Sequence, residues 1–134
     1  MDHDKPNTRI CIVDDDPSVR RALSRLVESM GMRVSAFASP LGLLQSGPMT
    51  EFDCLLLDVH LPGMDGFELH NRVVAAGHEI PVIFISAHTD DRTRGRAKAA
   101  GATACLSKPF EDQALLDAIR TAIETSAGSR NDRF

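Results

Sequence analysis

The sequence predicts a doubly wound α/β domain built on a parallel sheet. Five short apolar runs alternate strictly with five helical patterns, which calls for parallel strands, right-handed crossovers and helices on both faces. The runs at residues 53–58 (DCLLLD) and 81–85 (PVIFI) are almost wholly apolar, as strands covered on both sides are. With 134 residues, the chain is close to one typical domain of about 150 residues and can fold without disulfides or a structural metal.

The elements follow in order. Arg9–Val13 (RICIV) reads as the first strand. Asp16 as N-cap and Pro17 at the first helical position start a helix. Val19, Ala22, Leu23, Leu26, Val27 and Met30 lie on one face of it, and Gly31 stops it. Residues 32–37 (MRVSAF) form the second strand. Ser39-Pro40 repeats the start signal for a short helix reaching about Gly47. The central strand, 53–58, leads into a Pro-Gly-rich loop at 61–66, where Gly63 and Gly66 suit a tight turn. The helix after it ends at Gly77. The fourth strand is 81–85. A polar helix over 89–100 ends at Gly101. The fifth strand is 103–106. The last helix runs from residue 112 to about 125, with Ala114, Leu115, Ala118, Ile119, Ala122 and Ile123 as its apolar stripe. This gives an N-terminal extension (1–8), one domain (9–125) and a polar C-terminal tail (126–134), expected to be mobile.

Composition excludes several classes. The chain is 43% hydrophobic and 25% charged, which excludes a disordered or collagen-like protein. A net charge of −4 gives no bulk attraction to nucleic acid, so none is expected to bind directly. Cys11, Cys54 and Cys105 lie far apart, among apolar neighbours. They read as buried reduced thiols. The N-terminus has no apolar run suited to a secretory signal, and no stretch approaches a membrane span. A soluble cytoplasmic protein with no membrane partner is expected.

Ligands of open parallel sheets bind beyond the carboxyl ends of the strands. Here the first strand ends in Asp14, Asp15 and Asp16, the third in Asp58 and the fourth in Ser86, while the fifth runs into Lys108-Pro109. Two carboxylates ~5 Å apart at an effective dielectric of ~20 repel by roughly 3 kcal/mol. A cation among Asp14, Asp15 and Asp58 would relieve this. An all-oxygen set points to Mg²⁺ or Mn²⁺ rather than Zn²⁺. Asp16 is expected to act only as a helix cap. No Walker loop, dinucleotide fingerprint or nucleophile elbow occurs.

These residues also carry a family resemblance. The stretch 12–20 (IVDDDPSVR) resembles the first strand of response regulator receiver domains. Residues 57–66 (LDVHLPGMDG) resemble their phosphoacceptor loop, and Ile85-Ser86-Ala87 and Lys108-Pro109-Phe110 resemble the two remaining motifs. The likeness covers residues 9–125, and the loop after Asp58 and the Lys-Pro-Phe end most resemble the FixJ-like branch. It implies a flavodoxin-like sheet of order 2-1-3-4-5. It implies that Asp58 accepts a phosphoryl group from a phosphohistidine, and that Asp15 binds Mg²⁺ directly. Asp14 would bind the ion directly or through water, and the backbone carbonyl of His60 would be a further ligand. Ser86 and Lys108 would hold phosphoryl oxygens, the latter placed by a cis peptide. His60 and His88, two residues beyond Asp58 and Ser86, would flank the phosphoryl group and tune its hydrolysis. The implied partners are a sensor histidine kinase or phosphotransfer protein, an unknown output partner or effector domain, and a second copy of the chain.

Other residues have plainer readings. His3, His70 and His78 read as solvated surface side chains. The fourth helix carries Asp90 and Asp91 at its start and Arg92, Arg94, Arg96 and Lys98 after them, matching the helix dipole. It is either a solvated helix or a loosely packed switch helix, with Gly95 at its middle and Thr93, Ala97 and Ala100 inward. Cys105 stands three residues before the motif lysine, where many receivers carry a Tyr or Phe that rotates inward. It is either a plain strand residue or a departure in the switch. The rival function is a Mg²⁺-dependent phosphohydrolase with an aspartyl nucleophile. Haloacid-dehalogenase enzymes place D-x-D-x-[TV] after the first strand and need a cap. Here Asp58 lies on the third strand and no residues remain for one. No helix-turn-helix is present, so the chain is expected to be either a stand-alone receiver or part of a longer regulator.

Overall fold

The computed structural model describes residues 8–132. In chain order its elements are β1 (Arg9–Val13), α1 (Pro17–Glu28), β2 (Arg33–Phe37), α2 (Pro40–Leu44), β3 (Cys54–Asp58), α3 (Gly66–Ala75), β4 (Val82–Ser86), α4 (Asp91–Ala99), β5 (Ala104–Ser107) and α5 (Asp112–Asp132). The strands pair in parallel in the order β2-β1-β3-β4-β5, as expected. The chain winds outward to β2 and then back across β1 to β3. The order therefore reverses between β1 and β3, and the carboxyl ends of those strands open the crevice where such sheets bind ligands.

Alternation along the strands divides the core into two layers. Cys11, Val13, Leu55, Leu57, Val82 and Phe84 face Leu43, Phe67, Leu69, Val73 and Ala97 on one side. Ile10, Ile12, Cys54, Leu56, Ile83 and Ile85 face Leu23, Val27, Leu115, Ile119 and Ala122 on the other. Every residue of β3 and β4 is buried, which explains why both are apolar up to the closing Asp58 and Ser86. Each such Leu, Ile or Phe contributes roughly 1.5–3 kcal/mol relative to exposure. The site residues thus project from the least deformable part of the molecule.

The start signals work as read. Asp16 accepts hydrogen bonds from the backbone N–H groups of Ser18 (2.8 Å) and Val19 (3.4 Å). Ser39 Oγ accepts from Gly42 N–H (3.1 Å) and Asp90 from Thr93 N–H (2.8 Å). Asp65 does the same for α3 through Glu68 N–H (2.8 Å).

Several expectations are corrected. A 3₁₀ turn, Met49–Glu51, precedes β3. Strand β4 runs from Val82 to Ser86, one residue later at each end than the expected 81–85, and closes on Ser86 as expected. Helix α5 continues to Asp132, so the first part of the expected tail is helical. Apolar periodicity marks only the stretch of a helix that packs, and the stripe ends at Ile123. Residues 133 and 134, and residues 1–7 with His3, lie outside the described residues. His70 is not a surface residue: it is 6% exposed and stands edge-on to Phe84, with centroids 5.8 Å apart. It lies three residues after Phe67 and three before Val73, on the buried stripe of α3. His78 is half-buried. Cys11 and Cys54 are buried free thiols, whereas Cys105 is only half-buried. Among the described residues no helix is long and apolar enough to cross a membrane.

Candidate functional site

Four strand ends meet at one edge of the sheet. Asp14 follows β1 directly, Asp58 is the last residue of β3, Ser86 ends β4 and Lys108 follows β5. Parallel register does this. Asp58 pairs with Ile85 and Ser86 with Ser107, so residues far apart in sequence stand at one height. Asp14, Asp15 and Asp58 each offer a carboxylate oxygen, and these oxygens lie within 4.8 Å of one another. Asp14 and Asp58 are buried and Asp15 is exposed.

Lys108 bridges the two buried carboxylates. Its Nζ donates to Asp14 Oδ2 at 2.9 Å and to Asp58 Oδ2 at 3.1 Å. The other carboxylate oxygens are held by backbone: Asp16 N–H donates to Asp14 Oδ1 (2.9 Å) and His60 N–H to Asp58 Oδ1 (3.0 Å). The Lys108–Pro109 peptide is cis. Burial pushes the Asp58 carboxyl above the ordinary carboxylate range and the Asp14 charge adds to this, while the His60 N–H and Lys108 work against both. Burial would lower Lys108, but its bonds to the two aspartates prevail and its ammonium is held above the usual lysine value.

The loop after Asp58 is folded tightly against the strand. Gly66 N–H donates to the Val59 carbonyl at 2.9 Å, and a Cβ at Gly66 would stand 2.4 Å from the Asp58 carbonyl oxygen. Only glycine permits this approach of α3 to the end of β3.

The remaining expected residues lie around this centre. Ser86 is fully buried; its hydroxyl accepts from His88 N–H (3.0 Å) and donates to the His88 carbonyl (3.1 Å). His60 and His88 are exposed at the rim, with ring centroids 6.0 Å apart. Cys105 lies outside the cluster, half-buried on β5 and paired in register with Phe84. Burial raises its thiol. The sequence reading missed Arg20, whose Nη1 donates to the Asp14 carbonyl at 2.8 Å. Its position six residues after Asp14, in the first turns of α1, is the only signal it leaves.

The donor set fits a hard divalent cation. It contains three carboxylates, and among the described residues no Cys or His joins the group.

A doubly wound sheet with buried aspartates, a bridging lysine and a hydroxyl at its switch-point edge defines the receiver class of signalling domains. The response regulator receiver domain model matches residues 10–120, and the chain belongs to that family, the receiver module of two-component signalling. It is 44% identical over 115 residues to the response regulator protein TmoT of Ectopseudomonas mendocina, covering 86% of this chain and 52% of that one. It is 36% identical over 114 residues to the transcriptional regulatory protein FixJ of Bradyrhizobium diazoefficiens, covering 85% and 56% respectively. The structure of the response regulator StyR superposes with a TM-score of 0.86 at 41% identity, covering 95% of this chain and 64% of that one. The chain spans about half the length of the curated relatives it matches. The family match lends nothing to the phosphohydrolase alternative.

Proposed function

We propose that the domain takes a phosphoryl group onto Asp58 from a histidine kinase or phosphotransfer protein and works as a switch. The observation that carries this is the single ammonium of Lys108 bridging Asp14 and Asp58, with Asp15 beside them. A carboxylate left that deep without a charge partner would be costly, and here each of the two is bonded to the same ammonium.

In this reading an Asp58 oxygen attacks phosphorus, the donor's P–N bond breaks, and the imidazole leaves with a proton. Asp14 and Asp15, with Asp58 and the His60 carbonyl, would hold Mg²⁺, or Mn²⁺ in its place. Such an ion, when bound, supplies positive charge against the phosphoryl oxygens. Lys108 gives up part of its contact with Asp58 to pair with one phosphoryl oxygen. Ser86 Oγ turns from the His88 carbonyl to donate to another. Hydrolysis reverses the modification: water attacks phosphorus, the Asp58 O–P bond breaks, and inorganic phosphate leaves. His60 and His88, at the rim, control how that water reaches the site. The chain acts catalytically on its own phosphoryl group and on no other substrate. Cys105 contributes no rotating ring.

The receiver module is assigned to residues 9–125, in a cytoplasmic protein. Relatives include a regulator named for transcription, and the chain spans about half their length. The output is therefore assigned to a transcriptional effector, in the same polypeptide or a separate one, with pairing of two copies as a further mode. The test is incubation with acetyl phosphate and Mg²⁺ followed by intact mass. One phosphoryl group should be added to the wild type and none to Asp58→Asn, whose amide is not a nucleophile. Equal labelling of the variant, or multiple turnover of phosphomonoesters, overturns the assignment.

A further inference from the structure

The Asp15 carboxylate is exposed and, among the described residues, accepts no hydrogen bond. What the fold fixes is therefore its Cα–Cβ bond, which follows the backbone, and that bond limits where the carboxylate can reach. The preceding peptide is planar, so the Asp14 carbonyl, the Asp15 N–H and both Cα atoms move as one unit. Arg20 Nη1 donates to that carbonyl at 2.8 Å. Arg20 is half-buried and rooted in α1, where its own N–H donates to the Asp16 carbonyl at 2.9 Å. The start of the same turn is fixed by Asp14 N–H donating to the Phe37 carbonyl at 3.1 Å. The guanidinium thus holds the first of the two peptides that meet at the Asp15 Cα.

We infer that Arg20 is a positioning residue for the metal site: by holding the Asp14–Asp15 peptide it aims the Asp15 carboxylate at the cation. This rests on the phosphoacceptor reading above. Charge and position make opposite predictions. A guanidinium near the cluster repels a divalent cation, so if only its charge mattered, removing it would tighten Mg²⁺ binding. If it positions Asp15, removing it weakens binding. Arg21 serves as the control, since it lies on the same turn, is exposed and has no polar partner among the described residues.

The experiment is Mg²⁺ titration by calorimetry of the wild type, Arg20→Ala, Arg20→Lys and Arg21→Ala, without phosphodonor. Amide exchange of the metal-free proteins gives a second readout. Arg20→Ala should bind Mg²⁺ roughly three- to tenfold more weakly, the effect of losing one part-exposed, charge-assisted hydrogen bond. Arg20→Lys, which keeps a cationic donor, should recover part of that loss. Arg21→Ala should bind as the wild type does or more tightly. Exchange of the Asp16 amide, which donates to Asp14 Oδ1, should quicken in Arg20→Ala alone. Mg²⁺ affinity in Arg20→Ala equal to or above that of the wild type overturns the inference, as does unchanged exchange at Asp16. A wild type that binds no Mg²⁺ overturns the metal reading itself, and the inference with it.

Discussion

Replacing Gly66 with alanine tests how tightly α3 is seated on the end of β3. The new Cβ would lie 2.4 Å from the Asp58 carbonyl oxygen and 3.1 Å from both the Asp58 carbonyl carbon and Val59 Cα. All three atoms are backbone, so no side chain can swing aside. Ordinary contact begins near 3.4 Å, and the helix must retreat by about 1 Å. That movement stretches the Gly66 N–H bond to the Val59 carbonyl, now 2.9 Å. Overpacking of this kind costs about 1–3 kcal/mol and a lost hydrogen bond about 1 kcal/mol. Helix propensity returns at most about 1 kcal/mol. Gly66→Ala should therefore lose about 2 kcal/mol and melt roughly 6–10 °C lower. It should also slow labelling of Asp58 by acetyl phosphate, because the strain falls on that residue's own carbonyl. Gly95→Ala makes the same chemical change in the middle of α4, where a Cβ meets nothing within 4 Å. It should gain about 1 kcal/mol and melt roughly 3–5 °C higher. Thermal melts of both variants decide the matter. A Gly66→Ala protein that melts at or above the wild type refutes the close-approach argument.

Other outcomes follow from the same geometry. Asp15→Ala should melt slightly higher than the wild type in EDTA, since one source of like-charge repulsion is gone, and should lose the Mg²⁺-induced rise in midpoint. An unchanged Mg²⁺ shift would remove Asp15 from the ligand set. Burial holds the His70 imidazole below its free value of ~6.5, so as pH falls the unfolded chain binds that proton first. The stability owed to neutral His70 is full above about pH 6.5 and declines below it. His70→Leu should flatten this decline between urea midpoints taken at about pH 7.5 and 5.5, and a slope equal to the wild type's would refute the burial argument. Amide exchange with and without beryllofluoride should change over residues 89–106. Changes confined to the loops around Asp58 and Ser86 would show that the signal stops at the site.

The site was legible because parallel topology leaves little choice. Once the apolar runs are taken as parallel strands, Asp14, Asp58, Ser86 and Lys108 must share an edge, and the caps at Asp16, Ser39 and Asp90 announce themselves by residue type. What escaped the sequence depends on which way a polar side chain turns. His70 carries a polar ring, but its spacing from Phe67 and Val73 sends it inward. There its Nδ1 has no hydrogen-bond partner among the described residues, and ring packing on Phe84 carries the contact. Arg20 looks like one of several arginines on α1, and only the coordinates show its guanidinium returning to the Asp14 carbonyl. The length of α5 escaped for a different reason. Backbone hydrogen bonds extend a helix without any apolar pattern to mark it.

Coupling between the site and the face around β5 is the feature where sequence and structure say most when combined. The sequence puts a thiol at 105, and the structure pairs it with a large ring on the neighbouring strand. Phe84 pairs in register with Cys105 and is fully buried, with Phe67 4.5 Å away and His70 5.8 Å away between centroids. Arg96 of α4 lies over Phe67 at 4.2 Å and meets Asp65 at 3.8 Å. Removing such a buried ring costs on the order of 3–5 kcal/mol, so moving Phe84 out of its place would be expensive. The weaker contacts lie beyond it. Among the described residues the Ser86 hydroxyl bonds only the His88 backbone, Thr89 and Ser107 share one hydroxyl–hydroxyl bond, and α4 buries only Ala97 fully. A Ser86 hydroxyl drawn toward a phosphoryl oxygen must release the His88 carbonyl. The adjoining residue is Thr89, whose partner lies on β5. Small inward side chains on α4 make its displacement cheap, whereas the packed rings make theirs expensive. A signal from Asp58 would therefore pass at least cost through the loop at 87–90 into α4, since β5 carries no ring.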